Sequence, residues 1–397
     1  MDLPRRRAPS PPHETVEIRL GRRRFLIALA GTAAYVALRP SLALARRVGS
    51  ADAALQPWVL SDALPGNPTD LARALIAAAV LAPSHWNTQP WRFEVEGPSI
   101  RIVADAQRAL PVTDPERRSM MIALGASLEN LLIAARAYGL QPNVTYMPFE
   151  GAGGVVAEVT WTEGEARRDR ALFSTIPARR TNRRDFDRRA IYPENRAQLM
   201  AQASEDYVLH WLDDRDAMRG VADVAYEATR TQSRDARAEA EHYAWMRFGN
   251  RDARRRGDGI TADALEYGGI AHWMPGRSFN PSSWFHRFGA DSESKQARGA
   301  IRSAGAVALI TTTRRGEAVW LMAGQMFQRL ALKATQLGIA HQPIHAPIEV
   351  GSMRVELARR FGAPGTDPLL LLRFGHARAP SPSVRRAVAM VSAFRNT

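Results

Sequence analysis

The stretch Arg179-Arg180-Thr181-Asn182-Arg183-Arg184-Asp185-Phe186 packs cations and a hydroxyl at a spacing suited to holding a phosphate. Two guanidinium forks and a threonine hydroxyl supply charged and neutral donors that match phosphate oxygens, and arginine can do so bidentately. Charge alone fits a solvated basic loop equally well. A second stretch upstream changes the balance: Ala82-Pro83-Ser84-His85-Trp86-Asn87-Thr88-Gln89-Pro90-Trp91-Arg92-Phe93 sets a Pro-Ser pair, two amide side chains and two tryptophans close together. Other chemistries find little support. His341 and His345 are four apart, but Pro343 lies between them and no carboxylate partner is evident, so no metal site is expected. There is no cysteine, which excludes thiol nucleophiles, disulfides and thiolate metal sites. No His-Glu-x-x-His, Gly-x-Ser-x-Gly or P-loop occurs, and Gly151-Ala152-Gly153-Gly154 reads as a strand-to-strand loop.

These residues need elements to place them. Thr69 can cap a helix running to Leu81 that ends at Ala82-Pro83, and alternation predicts strands at Trp91 to Val95 and Ser99 to Val103. The Pro-Ser loop therefore joins a helix to a strand. A long apolar-periodic helix is expected from Pro115 to Tyr138, stopped by Gly139, followed by strands at Asn143 to Met147 and Val155 to Thr162. After the arginine stretch come a helix near Pro193 to Ala203, a strand at Tyr207 to Leu212 and one charged helical stretch from Asp214 to Phe248. Between Gly249 and Arg302 the pattern breaks down. With Trp273, Phe279, Trp284, Phe285 and Phe288 it reads as a long loop or lid. A buried strand at Ala306 to Thr312, a helix from Glu317 to Leu337 stopped by Gly338, a helix near Met353 to Phe361 and a strand at Leu369 to Phe374 complete the series.

Two of these helices match. Gly125, Leu131, Ile133, Ala135 and Gly139-Leu140 recur as Gly324, Leu330, Leu332, Ala334 and Gly338-Ile339, one offset of 199 positions throughout (324 minus 125). The match predicts a duplicated unit in which only the first copy carries the Pro-Ser loop and only the second the arginine clamp.

The 397 residues are ample for a large core, and the net charge is +14. Of 54 basic residues only Lys295 and Lys333 are lysine, a skew that weakens any claim that one given arginine must be functional. The basic balance would suit nucleic acid, but no helix-turn-helix, zinc-finger or RRM pattern accompanies it. Part of the charge sits in a leader. Gly21-Arg22-Arg23-Arg24-Phe25-Leu26 precedes an apolar run to Leu38, and Ala43-Leu44-Ala45 follows, as in a twin-arginine export signal cleaved near Ala45.

Taken together, Ala82-Pro83-Ser84, Asn87-Thr88-Gln89-Pro90-Trp91, Asp114-Pro115, Arg180-Thr181-Asn182-Arg183, the Gly324 to Gly338 helix and the Ser383 to Arg386 tail resemble the Acg family of FMN-binding oxidoreductases within the nitroreductase-like flavoproteins. The resemblance runs from about Thr69 to Arg386 and implies an α+β fold. Two tandem nitroreductase-like halves, each a mainly antiparallel sheet packed with helices, would form a pseudo-dimer around one FMN. With the leader read as a signal peptide at 1–45 and the Pro-rich stretch as a linker at 46–68, the resemblance implies a first half at 69–170 and a second at 171–397 that contains the lid read near 249–302. Arg180, Thr181 and Arg183 would hold the FMN phosphate and ribityl chain, closed by Arg385 or Arg386 from the tail. Pro83 and Ser84 would lie against the isoalloxazine, Asn87 and Gln89 would bond the cofactor or hold the loop, and backbone near Ile344 and His345 would face flavin N5. Relatives place His directly before the motif Asn, whereas here Trp86 separates His85 from Asn87.

The expected protein is an exported FMN-dependent oxidoreductase, translocated by the twin-arginine translocase to the periplasm and acting on a small, nitroaromatic or quinone-like acceptor. In such chemistry the cofactor transfers electrons, so no side chain is assigned as acid or base. NAD(P)H is the expected donor inside the cell, and an exported enzyme would need another or would act before export. The alternative is a protein that sequesters FMN under the lid without turnover.

Overall fold

The computed structural model describes residues 56–148, 154–164, 169–248, 250–261, 264 and 286–395. The leader, most of the linker, the Gly151 to Gly153 turn and the segment with Trp273, Phe279, Trp284 and Phe285 lie outside the described residues.

The chain opens with helix α1, Pro68–Ala79, whose cap is Asn67 rather than the expected Thr69. Asn67 accepts from the amide of Asp70, and Pro68 then occupies the first turn, where its missing N–H costs nothing. Strands β1, Trp91–Glu96, and β2, Ser99–Ala104, form the expected hairpin. Helix α2, Arg118–Ala137, begins three residues later than Pro115, because Arg117 is left-handed and Asp114 accepts from the amides of Ser119 and Met120. Strands β3, Leu140–Tyr146, and β4, Val155–Glu163, complete a sheet ordered β11-β1-β2-β4-β3. Its outer strand β11, Ser392–Arg395, comes from the far end of the chain and pairs parallel with β1.

The second half contributes helix α3, Pro193–Met200, and strand β5, Val208–Leu212. The charged helical stretch is two helices, α4, Arg215–Gln232, and α5, Ala236–Trp245, each with its own aspartate cap, Asp214 and Asp235. A two-residue parallel pair joins β6, Met246–Arg247, to β7, Ile260–Thr261, with helix α6, Asn250–Arg256, between them. The expected loop does not extend to Arg302. Residues His286–Ser303 are helix α7, which packs along α4. Strand β8, Ala306–Thr312, helix α8, Glu317–Gln336, strand β9, Ala340–Ile344, helix α9, Gly351–Arg360, and strand β10, Asp367–Gly375, follow.

The second sheet is antiparallel, ordered β5-β8-β10-β9, and covered on both faces. Along β10, Leu370, Leu372 and Phe374 enter one core with α8, while Leu371 enters another with α4 and α9, as the two-residue strand period dictates. The first sheet has its own core with α1 and α2. Among the described residues the architecture is thus α+β, with two separate, mainly antiparallel sheets besides the short β6-β7 pair.

Among the described residues, helices α2 and α8 make the most extensive helix-helix contact. A Cβ at Gly125 would overlap the carbonyl of Leu321, and one at Gly324 would overlap the carbonyl of Ile122. Both pairs are reciprocal under the 199-residue offset. The same holds further along, where Glu129 meets Arg329 and Asn130 meets Gln328. Ile122 packs in the core of the second sheet and Leu321 in that of the first. Backbones approach this closely only where neither helix carries a side chain, which is what the paired glycines provide.

Candidate cofactor site

Between the two matching helices and the second sheet lies a cavity of about 260 Å³. One wall is the loop after α1, where Trp86, Asn87 and Gln89 all have φ near +50° (45°, 56° and 51°). Three such residues within four positions are costly, and they persist only where surroundings fix them. Here the fixing is done by amide side chains. Asn87 Nδ2 donates to Gly259 O at 3.0 Å and Val384 O at 3.1 Å, and its Oδ1 accepts from Arg385 Nη1 at 3.0 Å. Gln89, fully buried, donates to Gly257 O at 2.7 Å and accepts from the amide of Arg386 at 2.9 Å. Gly257 must lie against Arg385 with φ +65°, where a Cβ would sit 2.6 Å from the Arg385 carbonyl. Three distant segments are knitted together at this point.

Thr181 and Arg183 of the arginine stretch also line the cavity. Asn182 anchors the stretch: its amide donates to His341 O at 3.1 Å, and its side chain donates to Arg378 O at 2.8 Å. Arg373 on β10, fully buried, donates to the carbonyls of Arg184 at 2.7 Å and Ala300 at 2.8 Å, tying the stretch to α7.

Of the residues singled out from the sequence, the structure places Pro83, Ser84, Thr181, Arg183, Ile344 and His345 on the cavity wall. The others stand behind it. Asn87 and Gln89 hold the loop, and Arg386 donates to Gln89 O at 3.1 Å. Arg180 turns away, donating to Pro177 O and Arg179 O at 2.8 Å each and covering the Trp58 ring at 4.2 Å. Arg385 lies over the same ring at 4.9 Å.

Arg179 was part of the stretch but was not among the residues assigned to phosphate binding, and it is 2% exposed. Burial, with Arg180 and Arg183 nearby, pushes it down to about 9. Burial, then Arg179 and Arg180, also holds Arg385 well below the usual arginine range. Among the described residues none of Arg179, Arg180 and Arg385 has a carboxylate within ion-pair distance. The Nε atoms of Arg179 and Arg385 are buried without acceptors. Such a cluster of buried cations calls for an anion.

The cavity also holds groups the sequence reading did not bring together. His85 and His345 stack in parallel, 4.0 Å between centroids, and Trp86 stacks on His242 at 4.6 Å. Glu349, four residues after His345, approaches both stacked histidines. Glu239, His242 and Glu293 place three donor atoms within 4.8 Å of one another. Burial lifts Glu239 to about 8 and Glu293 to about 7 and lowers His242 to about 4. The Glu239-x-x-His242 spacing on α5 was the one available signal for this group, since residues three apart share a helix face.

No family model matches the chain. It is 27% identical over 329 residues, 81% of this chain and 91% of the relative, to the "Putative NAD(P)H nitroreductase Rv3131" of Mycobacterium tuberculosis. A second protein of that description and organism, acg, is 26% identical over 330 residues, 80% of this chain and 93% of its own. The FMN-dependent nitroreductase NfnB of Mycobacterium smegmatis, solved in complex with NADPH, aligns over 57% of this chain and 99% of its own at 18% identity and TM-score 0.34.

Proposed function

We propose that this homologue of Acg and related NAD(P)H nitroreductases is an FMN-dependent oxidoreductase that passes electrons from NAD(P)H to a small acceptor of nitroaromatic or quinone type. The observation that carries the reading is the group of buried arginines without carboxylate partners behind a cavity lined by the Pro83-Ser84 loop. The orphaned Nε atoms of Arg179 and Arg385 fit a bound phosphate, because a phosphate would give both guanidiniums the acceptor they lack. Arg183 and Thr181 would meet it from the cavity wall. Pro83 and Ser84 would bound the ring, and Ser84 Oγ already accepts from the Gln89 amide at 2.9 Å, which fixes its direction. When bound, FMN supplies the two-electron chemistry, while these residues orient it and exclude water.

The reciprocal contacts of Gly125 with Leu321 and Gly324 with Ile122 support a pseudo-dimer within one chain, holding a single cofactor. Export through the twin-arginine translocase is supported by the leader sequence alone. The test is direct: purify the full chain, record its absorption spectrum, and add NAD(P)H under anaerobic conditions. A flavin spectrum that bleaches supports the enzyme. Protein that stays yellow would leave a sequestering role, and colourless protein that takes up no added FMN refutes both.

A further inference from the structure

Glu349 ends the short helical turn Ala346–Glu349, and its side chain is 6% exposed. One oxygen, Oε2, accepts from Gln232 Nε2 at 2.6 Å. The other, Oε1, lies 3.0 Å from His85 Nδ1 and 3.9 Å from His345 Nδ1. Both Oε1 and His85 Nδ1 are buried and, among the described residues, neither makes a hydrogen bond, with each other or with any third group, so the 3.0 Å approach is a close contact still to be aligned. All three side chains line the cavity.

Two nitrogens and one oxygen so placed could share either a metal ion or a proton. The ring planes differ by only 8° at a centroid distance of 4.0 Å, so their in-plane lone pairs run side by side. One ion about 2 Å from each nitrogen cannot lie in both planes. A proton needs no such convergence: a small rotation of the carboxylate aligns it with His85 at 3.0 Å, and a shift that closes the 3.9 Å gap brings it to His345.

We propose that His85, Glu349 and His345 form a proton relay in the cavity wall, serving an acceptor that must gain protons together with electrons. This rests on the flavin oxidoreductase reading. Reduction of a quinone to its hydroquinone takes two electrons and two protons. NAD(P)H is the source of both electrons and one proton, as hydride. The relay gives the second proton, leaving Glu349 ionised until solvent reloads it.

The surroundings favour a carboxyl that gains and loses the proton between neutral rings. Burial is the largest influence on each group. It lifts Glu349 to about 7, helped by Glu241 and opposed by His345 and Gln232. It pushes His85 down to about 3, with Arg183 acting in the same direction and Glu241 against it. His345, whose side chain is 31% exposed, is lowered as well, by burial, His85 and Arg183 against Glu349. Asp114, on the N-terminal side of α2, also feels Glu349.

The test uses flavin-loaded full chain and two acceptors: a naphthoquinone, which takes up protons, and ferricyanide, which does not. In wild type, quinone turnover should fall as pH rises through about 7 while ferricyanide turnover stays flat. In Glu349→Gln and His85→Asn the ratio of quinone to ferricyanide turnover should fall at least tenfold, and the pH step should vanish. A ratio within twofold of wild type in a folded, yellow variant overturns the relay and leaves the flavin reading standing, whereas colourless wild type removes the flavin reading itself. Should both variants fail to fold, 15N NMR of histidine in the wild-type holoprotein decides. His85 and His345 should remain neutral from pH 5 to 8, and a ring that becomes cationic in that range refutes the relay.

Discussion

Replacing Arg179 by methionine should stabilise the flavin-free protein and weaken its hold on FMN. Arg179 receives little in return for its burial. Its contacts are Nη1 to Thr181 Oγ1 at 3.4 Å and Nη2 to Leu81 O at 3.5 Å, both at the long limit for hydrogen bonds, and Nε has none. Against them stand desolvation and the fields of Arg180 and Arg183, which push the guanidinium down to about 9. At ~1.4 kcal/mol per tenfold change in acid strength, keeping it charged at pH 7 costs on the order of 2–4 kcal/mol after relaxation. Methionine fills similar space without that cost. Deflavinated Arg179→Met should therefore melt roughly 2–6 °C above wild type. A phosphate would turn the same charge into charge-assisted bonds of about 1.5–3 kcal/mol, so FMN affinity should fall about 10- to 100-fold in the variant. Scanning fluorimetry and flavin-fluorescence titration measure both effects, with riboflavin, which lacks the phosphate, as internal control. Riboflavin should bind variant and wild type alike. A variant that melts lower without flavin, or that weakens FMN and riboflavin equally, refutes the assignment.

At the crossing of α2 and α8, Gly324→Ala must push a methyl against the Ile122 backbone, so a loss of about 2–3 kcal/mol in denaturant unfolding is expected. Gly299→Ala on α7 meets nothing within 4 Å and should be neutral or stabilising by ~0.5–1 kcal/mol. Gln89→Ala would strand the Gly257 carbonyl and the Arg386 amide, costing about 2–4 kcal/mol, and hydrogen exchange should speed up first around residues 384–386. The pH dependence has a definite sign. Asp114, Glu349 and Glu293 are lifted to about 7 and Glu239 to about 8, all by burial, so the folded state holds protons that the unfolded state has lost. Their contribution is complete below the unfolded carboxyl range and is lost as pH rises through 7 to 8. Above about pH 6.5, where the lowered histidines no longer oppose this, the urea midpoint of flavin-free protein should fall with rising pH, and Glu239→Gln should flatten the fall.

Elements whose residues carry their own periodicity were legible in the sequence. Helices α2 and α8 announce themselves by apolar spacing and by Gly139 and Gly338, whose φ of +85° and +68° end them, and β8 and β10 by unbroken apolar runs. Elements that owe their form to a partner were not. Strand β11 has only Phe394 as a large apolar residue, and pairing with β1 makes it a strand. Helix α7 has too polar a sequence to declare itself and is covered by α4. The division of α4 from α5 was written in Asp235, a cap residue that charge periodicity concealed. At the site, Thr181 and Arg183 of the arginine stretch line the cavity. The turn of Arg180 towards Trp58 depends on a residue remote in the chain, and so does the meeting of His85 with Glu349. Local pattern holds no information about either.

The parallel pairing of β11 with β1 sets an order of events during synthesis. Trp91–Glu96 leaves the ribosome well ahead of the strand that covers its edge, and the Arg385 and Arg386 that lock Asn87 and Gln89 follow those residues by 298 and 297 positions. Until then the nascent first sheet carries an open edge able to pair with a neighbouring chain, and the strained loop lacks its restraint. Chaperone dependence in the cell, and sensitivity to removal of residues 392–395, which lie outside the cavity wall, follow from that timing.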